Sequence, residues 1–94
     1  MAVEVSDAPE ESRYEARLDG AEEVAGYAVY SRTPEVITFV HTEVGEAYGG
    51  RGIGSALVRH SLDEAREQGL RVVAACAFYA GWIAKHPEYA DLLQ

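Results

Sequence analysis

Apolar and polar residues alternate through the first half of the chain. From Ser12 to Leu18, Tyr14, Ala16 and Leu18 fall on one side and Arg13, Glu15 and Arg17 on the other, the period of a half-buried strand. Asp19-Gly20-Ala21-Glu22 reads as a turn and Glu23 to Ser31 as a second strand, and so short a link predicts an antiparallel hairpin. Gly26 inside that strand marks a candidate bulge. Thr33-Pro34 breaks the run. Val36 to Val44 is rich in β-branched residues and forms a third strand. An antiparallel meander is the simplest arrangement of the three. Ahead of it, Met1 to Glu11 is acidic and contains Pro9, which predicts a frayed end, although the run Val3 to Val5 is able to pair weakly.

The period then changes. From about Gly52 to Gln68, Ile53, Leu57, Val58, Ser61, Leu62 and Ala65 share one broad helical face, with Arg59, Asp63, Arg66 and Glu67 opposite. Gly69 is a natural stop. Leu70 to Ala77 is a short apolar strand, and strand–helix–strand implies a right-handed crossover onto a parallel neighbour of the third strand. Its end is filled by Ala74, Ala75, Cys76 and Ala77, so something passes close by: a neighbouring helix or a slender ligand. Phe78 to Lys85 reads as a short helix stopped before Pro87, and Ala90 to Gln94 as a last helical turn.

Between the third strand and the long helix lies Gly49-Gly50-Arg51-Gly52-Ile53-Gly54. Strand, glycine loop and helix start together make an anion pocket, because first-turn N–H groups lack backbone partners and glycine lets a ligand approach the chain. No Gly-Lys-Ser/Thr closes the loop, which excludes a Walker A motif. The dinucleotide fingerprint also fails, since its third glycine position is Leu57. A turn and helix start without a ligand remains the alternative for the loop taken alone.

Length and charge narrow the field. The 94 residues make one small domain, 1–94, and a hydrophobic content of 48% marks it as globular. A net charge of −8 without a basic stripe argues against nucleic acid and an anionic membrane as partners. The acidic balance suits a cationic substrate such as an amine, and equally serves solubility. One cysteine, Cys76, excludes an internal disulfide and fits a reducing compartment. No apolar run reaches membrane-spanning length and no signal-peptide core opens the chain, so a cytoplasmic protein is expected. Three scattered histidines and one cysteine form no zinc pattern, and no metal is expected. A monomer or weak dimer is the expected state.

The glycine loop resembles the pyrophosphate loop of the GNAT acetyltransferase superfamily, Arg/Gln-x-x-Gly-x-Gly/Ala. Gly49 stands at its first position, where Arg51 two residues on could supply the charge. Together with His41-Thr42-Glu43-Val44 before the loop, Cys76 at the end of the next strand and His86-Pro87-Glu88-Tyr89 near the C-terminus, the order of elements resembles the short, single-domain subgroup of GNAT-like N-acetyltransferases over roughly Tyr14 to Leu93. The resemblance implies a minimal α/β (α+β) fold: β-meander, glycine loop, helix, parallel strand and short C-terminal helix. Longer GNAT domains carry two further helices early and more strands late, so the acceptor site here should be open.

The resemblance implies acetyl-CoA as co-substrate, acetyl transfer to an unidentified amine, and pantetheine lying in a V-shaped gap after the third strand. The backbone at the end of that strand, Glu43 to Glu46, would pair with the pantetheine amides, and an N–H near Val44 could polarise the thioester carbonyl. Gly49, Gly50, Arg51, Gly52, Ile53, Gly54 and Ser55 would hold the pyrophosphate. Cys76 is a candidate nucleophile, or else a small buried hydrophobe; no neighbouring cation that would lower its pKa is evident in the sequence, although His41 or His86 could lie close in space. His41 is a candidate base or a structural histidine. Glu43 is a candidate carboxylate base on the same face, or a solvated strand end. Tyr79 and Tyr89 are candidate proton donors to the leaving thiolate, Tyr89 otherwise an anchor, and Trp82 is core or pocket wall. Two other readings stay open: a CoA- or acyl-CoA-binding module without catalysis, and a partner-binding adaptor on the same fold.

Overall fold

The computed structural model describes residues 2–49 and 52–94. Three strands carry the meander, β2 (Arg13–Leu18), β3 (Gly26–Arg32) and β4 (Val36–Val44), and β1 (Val3–Ala8) adds a fourth ahead of them. After β4 come α1 (Ile53–Glu67), β5 (Arg71–Ala74) and α2 (Ala77–Lys85), with short 3-10 turns at Pro9–Glu11, Glu46–Tyr48 and Pro87–Leu92. The strands form one sheet in the order β1-β2-β3-β4-β5, with β4 and β5 parallel and the other pairs antiparallel.

Fraying is expected over residues 1–11; Met1 lies outside the described residues, and the rest of the segment is instead ordered. β1 pairs with β2 along its whole length, from Val3↔Leu18 to Ala8↔Arg13. The cause is alternation. Val3 and Val5 pack against the core, while Glu4 lies outward beside Arg17 in the register. Asp7 on the inner side accepts a 2.6 Å hydrogen bond from the Tyr30 hydroxyl.

The helix face read from the 3.6-residue period is the buried one: Ile53, Leu57, Val58, Ser61, Leu62 and Ala65. α1 lies on the sheet face that carries Tyr14, whose hydroxyl donates to Glu64 at 2.8 Å. α2 packs on the same face. Tyr79 stacks on Phe39 with centroids 4.2 Å apart, and its hydroxyl meets Ser61 of α1 at 2.8 Å. The register sends Arg13, Glu15, Tyr27, Val29, His41 and Glu43 to the opposite face, which carries no helix among the described residues.

Several details differ from expectation: β3 starts at Gly26 instead of Glu23, and the last helical turn spans Pro87–Leu92 instead of Ala90 to Gln94. β5 stops at Ala74 instead of Ala77, because the chain turns off the sheet to start α2. The bulge is not at Gly26. Val29 opposes His41 while Tyr30 opposes Phe39, so Val40 is the extra residue and the bulge belongs to β4. Gly26 serves close approach: a Cβ there would lie 2.9 Å from the Glu43 carbonyl oxygen and 3.0 Å from Ile53 Cγ2.

Candidate active site

The bulge at Val40 decides which side chains meet. It shifts the alternation of β4, so Thr42 and Val44 join Ile37 and Phe39 on the helix side, while His41 and Glu43 point to the opposite face. At the same level β4 and β5 part. Their pairing ends at Phe39↔Ala74, and one further bond, from the Cys76 amide to the Phe39 carbonyl at 2.8 Å, is the last link. β4 runs on to Val44 with no strand on that side among the described residues.

The gap is a cleft of about 410 Å³. Thr42 and Val44 line it from β4, Tyr48 and Gly49 from the following turn, Gly52 to Ser55 from the start of α1, and Phe78 from α2. The orientation of the β4 amides follows from one bond. Gly45 donates to the Ala25 carbonyl at 2.9 Å, so Glu43 and His41 also direct their backbone groups to β3. The amides of Thr42 and Val44 therefore point into the gap.

Beyond Val44 the chain prepares a helix start. Gly52 has φ 74°, left-handed backbone that favours glycine, and offers no capping side chain. The first α1 bond runs from the Ala56 amide to the Gly52 carbonyl, so the amides of Ile53, Gly54 and Ser55 have no helical acceptor. Gly54 leaves room for Phe78, whose Cζ would lie 2.7 Å from a Cβ at that position. Of the residues expected to hold the pyrophosphate, Gly49, Gly52, Ile53, Gly54 and Ser55 line the cleft. Gly50 and Arg51 lie outside the described residues.

Cys76 sits behind the Thr42 wall, buried, at the N-cap of α2. Its sulfur lies 3.4 Å from Thr42 Oγ1. Burial works against the thiolate. The Thr42 hydroxyl and the backbone N–H groups of Tyr79, Phe78 and Thr42 outweigh it and draw the thiol below its ordinary pKa. Neither histidine that could have served as its cation does so. His86 stacks on Trp82 at 3.7 Å, and His41 points to the other face.

On that other face His41, Glu43 and Tyr27 form a group. The Tyr27 hydroxyl donates to Glu43 Oε2 at 2.6 Å, and His41 Nε2 lies 3.7 Å from Glu43 Oε1. The hydrogen bond from Tyr27 holds the Glu43 carboxyl below its usual range, with His41 adding to it. A hollow of about 320 Å³ beside this group is lined by Tyr27, Glu43, Val44 and Glu46, among others. Val44 borders both the hollow and the cleft, so the end of β4 is the wall between them.

Neither tyrosine considered as proton donor faces the cleft wall. Burial raises the pKa of the Tyr79 hydroxyl, which is closed in against Ser61. The Tyr89 hydroxyl donates to Asp63 at 2.8 Å and accepts from Arg59 at 3.3 Å, which makes it an anchor of the C-terminal turn. Trp82 is a buried wall residue whose Nε1 donates to Ser55 Oγ at 3.3 Å. Sequence reasoning missed Tyr48 and Phe78. Tyr48 donates its hydroxyl to Glu23, and Phe78 is 45% exposed. Only their places beside the glycine loop and the small-residue strand end hinted at a cleft. No group of three or more potential metal-ligating side chains occurs among the described residues, and no described helix is long and apolar enough to cross a membrane.

A sheet whose parallel pair, at one edge, splays over an uncapped, glycine-opened helix start is the architecture of an acetyltransferase of the GNAT class. The model of the family described as GCN5-related N-acetyl-transferase matches residues 13–92, and the chain belongs to that family. Among curated proteins it is similar to Protein NATD1 of Bos taurus, at 30% identity over 84 residues, 87% of this chain and 74% of the relative. The Homo sapiens NATD1 is 29% identical over the same length. Among solved structures, a GCN5-like protein from Staphylococcus aureus superposes with a TM-score of 0.71 at 26% identity, covering 97% of this chain and 87% of its own. The ribosomal-protein-S18-alanine N-acetyltransferase of Escherichia coli shares the fold, with a TM-score of 0.62 at 23% identity over 81% of this chain and 49% of its own.

Proposed function

We propose that the chain binds acetyl-CoA in the β4–β5 cleft and transfers its acetyl group to an amine presented from the opposite face of β4. The observation that supports this best is the continuity of donors along one wall. The Val44 amide points into the cleft, and the amides of Ile53, Gly54 and Ser55 follow at the start of α1. The first suits the thioester carbonyl and the second the pyrophosphate. The cleft accommodates a narrow pantetheine arm.

In this reading the acceptor sits in the hollow beside Tyr27, Glu43 and Glu46. Glu43, with His41 beside it, takes one proton from the ammonium. The nitrogen bonds to the thioester carbon, the carbon–sulfur bond breaks, and the second nitrogen proton goes to the CoA thiolate. Tyr27 orients the Glu43 carboxylate. A two-step course through Cys76 has its own support in the thiolate-favouring contacts of that sulfur. There the cysteine thiolate takes the acetyl group, releases CoA and passes the acetyl to the amine.

Calorimetric titration with acetyl-CoA is the first test, followed by an amine screen. One-site saturable binding, lost in Gly52→Val, together with turnover supports the transferase. Binding without transfer to any amine leaves a CoA-binding module, and no binding at millimolar acetyl-CoA sinks both. Intact-mass analysis after incubation with acetyl-CoA separates the two courses. One acetyl group on wild type and none on Cys76→Ala assigns the covalent step.

A further inference from the structure

The two edges of the sheet are finished differently. At the β5 edge the chain's own last residues lie against the strand. The Gln94 amide donates to the Val72 carbonyl at 3.0 Å, Leu93 bridges Val72 in parallel, and Arg71 holds the carbonyls of Asp91 and Leu93. At the other edge, β1 has no strand beyond it among the described residues. Its pairing with β2 orients the backbone there. Asp19 donates to the Ala2 carbonyl at 2.9 Å, so Glu4 and Ser6 also direct their backbone groups to β2. The amides and carbonyls of Val3, Val5 and Asp7 therefore point away from the sheet. We propose that this edge pairs antiparallel with β1 of a second copy, across a twofold axis at Val5, and joins the two sheets into one.

Nothing within the strand blunts the edge. Between Val3 and Asp7 there is no proline, lysine or arginine, and the register with β2 runs without a bulge. Of its two charged side chains, Asp7 is turned inward and held by the Tyr30 hydroxyl, and Glu4 lies on the bare sheet face.

Backbone polarity and charge select a second copy as the partner, because the strand complements itself. With Val5 opposite Val5, Val3 falls opposite Asp7 of the second copy, and every outward amide and carbonyl of these residues meets its complement. Glu4 then falls opposite Ser6, so no two acids face each other. Moving the axis to Glu4 sets Glu4 against Glu4. Moving it to Ser6 sets Val3 against Pro9, which has no N–H to give. The half-buried Val5 side chains meet over the axis on the α1 side of the joined sheet, a β-branched pair. The cleft and the hollow, both beside β4, stay open in such a dimer, so the pairing is independent of acetyl transfer.

A strand of six residues buries less than a standard interface, so the dimer is expected to be weak, with a dissociation constant of about 10–300 µM. Sedimentation equilibrium from micromolar to millimolar protein, at moderate salt to screen the repulsion of two acidic copies, should show one chain giving way to two. Val5→Pro removes an outward N–H and no bond to β2, a strand position that tolerates proline. It should weaken the dimer by about tenfold or more, since both copies lose a hydrogen bond at the axis, while its circular dichroism stays that of wild type. Cross-linking reads the register. In a Cys76→Ala background, Glu4→Cys mixed with Ser6→Cys should form a disulfide about tenfold faster than either variant alone, because only the directly opposed pair lies within disulfide reach. A monomer at millimolar protein overturns the proposal and leaves the edge to a strand of another protein. A dimer that a folded Val5→Pro leaves untouched puts the interface elsewhere, and faster cross-linking of Glu4→Cys to itself overturns the Val5 axis. If Val5→Pro unfolds, the cross-link decides: no preference for the mixed pair overturns the proposal.

Discussion

Cys76 takes its character from neighbours that no sequence pattern joins. Burial alone would leave an inert thiol. The Thr42 hydroxyl and the amides at the start of α2 reverse that balance, and they come from segments more than thirty residues apart. Thr42→Val removes the hydroxyl and keeps the shape. The Cys76 pKa should then rise, and its alkylation by iodoacetamide at neutral pH should slow by roughly three- to tenfold in proportion to the lost thiolate. An unchanged rate would show that the amides alone set the thiolate fraction. On the other face Tyr27 plays the corresponding part for Glu43. Its hydrogen bond holds the carboxyl low, so Glu43 stays ionised, and able to accept a proton, further into acid. Tyr27→Phe lets that pKa return upward. The acid limb of the pH profile of kcat/KM should move to higher pH, since Glu43 is then protonated sooner as pH falls. A limb that stays in place means that another group sets it.

At the scale of elements, the fold was legible wherever a local period carried it. β4 begins and ends at the residues read from its β-branched run, and α1 buries the face its period predicts. β1 was hidden by composition. Its acidic residues suggested fraying, while the alternation of Val3 and Val5 with polar neighbours carried the strand. The bulge was not legible. Val40 resembles its neighbours in the run, and only pairing with β3 makes it the extra residue. Because the bulge turns Thr42 and Val44 to the cleft, that wall could be expected only by resemblance. Tyr48 and Phe78 were missed for a related reason: nothing in their local sequence shows which surface they line. Gly26 tests how tightly the wall is held. In Gly26→Ala the added Cβ meets the Glu43 carbonyl oxygen at 2.9 Å, and backbone cannot swing aside as a side-chain tip can. Strand β3 must shift from β4 or the start of α1 must lift. A loss of about 1–3 kcal/mol in urea unfolding is expected, the range for overpacking a tight site. A change within about 0.5 kcal/mol, the range of surface substitutions, would mean that the contact relaxes freely.

For the molecule as a whole, charge and the bare sheet face act together. The chain carries sixteen acidic side chains against eight basic ones, and the hollow proposed for the acceptor is lined by Glu43 and Glu46. Such a field draws in a cationic amine and does nothing for a neutral one. It also opposes the anionic donor, so the two substrates feel salt with opposite sign and must be measured apart. With acetyl-CoA saturating, kcat/KM for a protonated alkylamine should fall as ionic strength rises and the Debye length shrinks. An aromatic amine that is neutral at the same pH should show little change. If both fall together, salt is acting on the catalytic step or on the fold, and the acidic surface serves solubility alone. If only the cation responds, Glu43→Gln should flatten its salt dependence more than Glu67→Gln, because Glu67 lies on the exposed side of α1, remote from the hollow in the sheet's other face. That difference would assign the steering to the hollow rather than to net charge, and would identify the acceptor as an amine that reaches the protein as a cation.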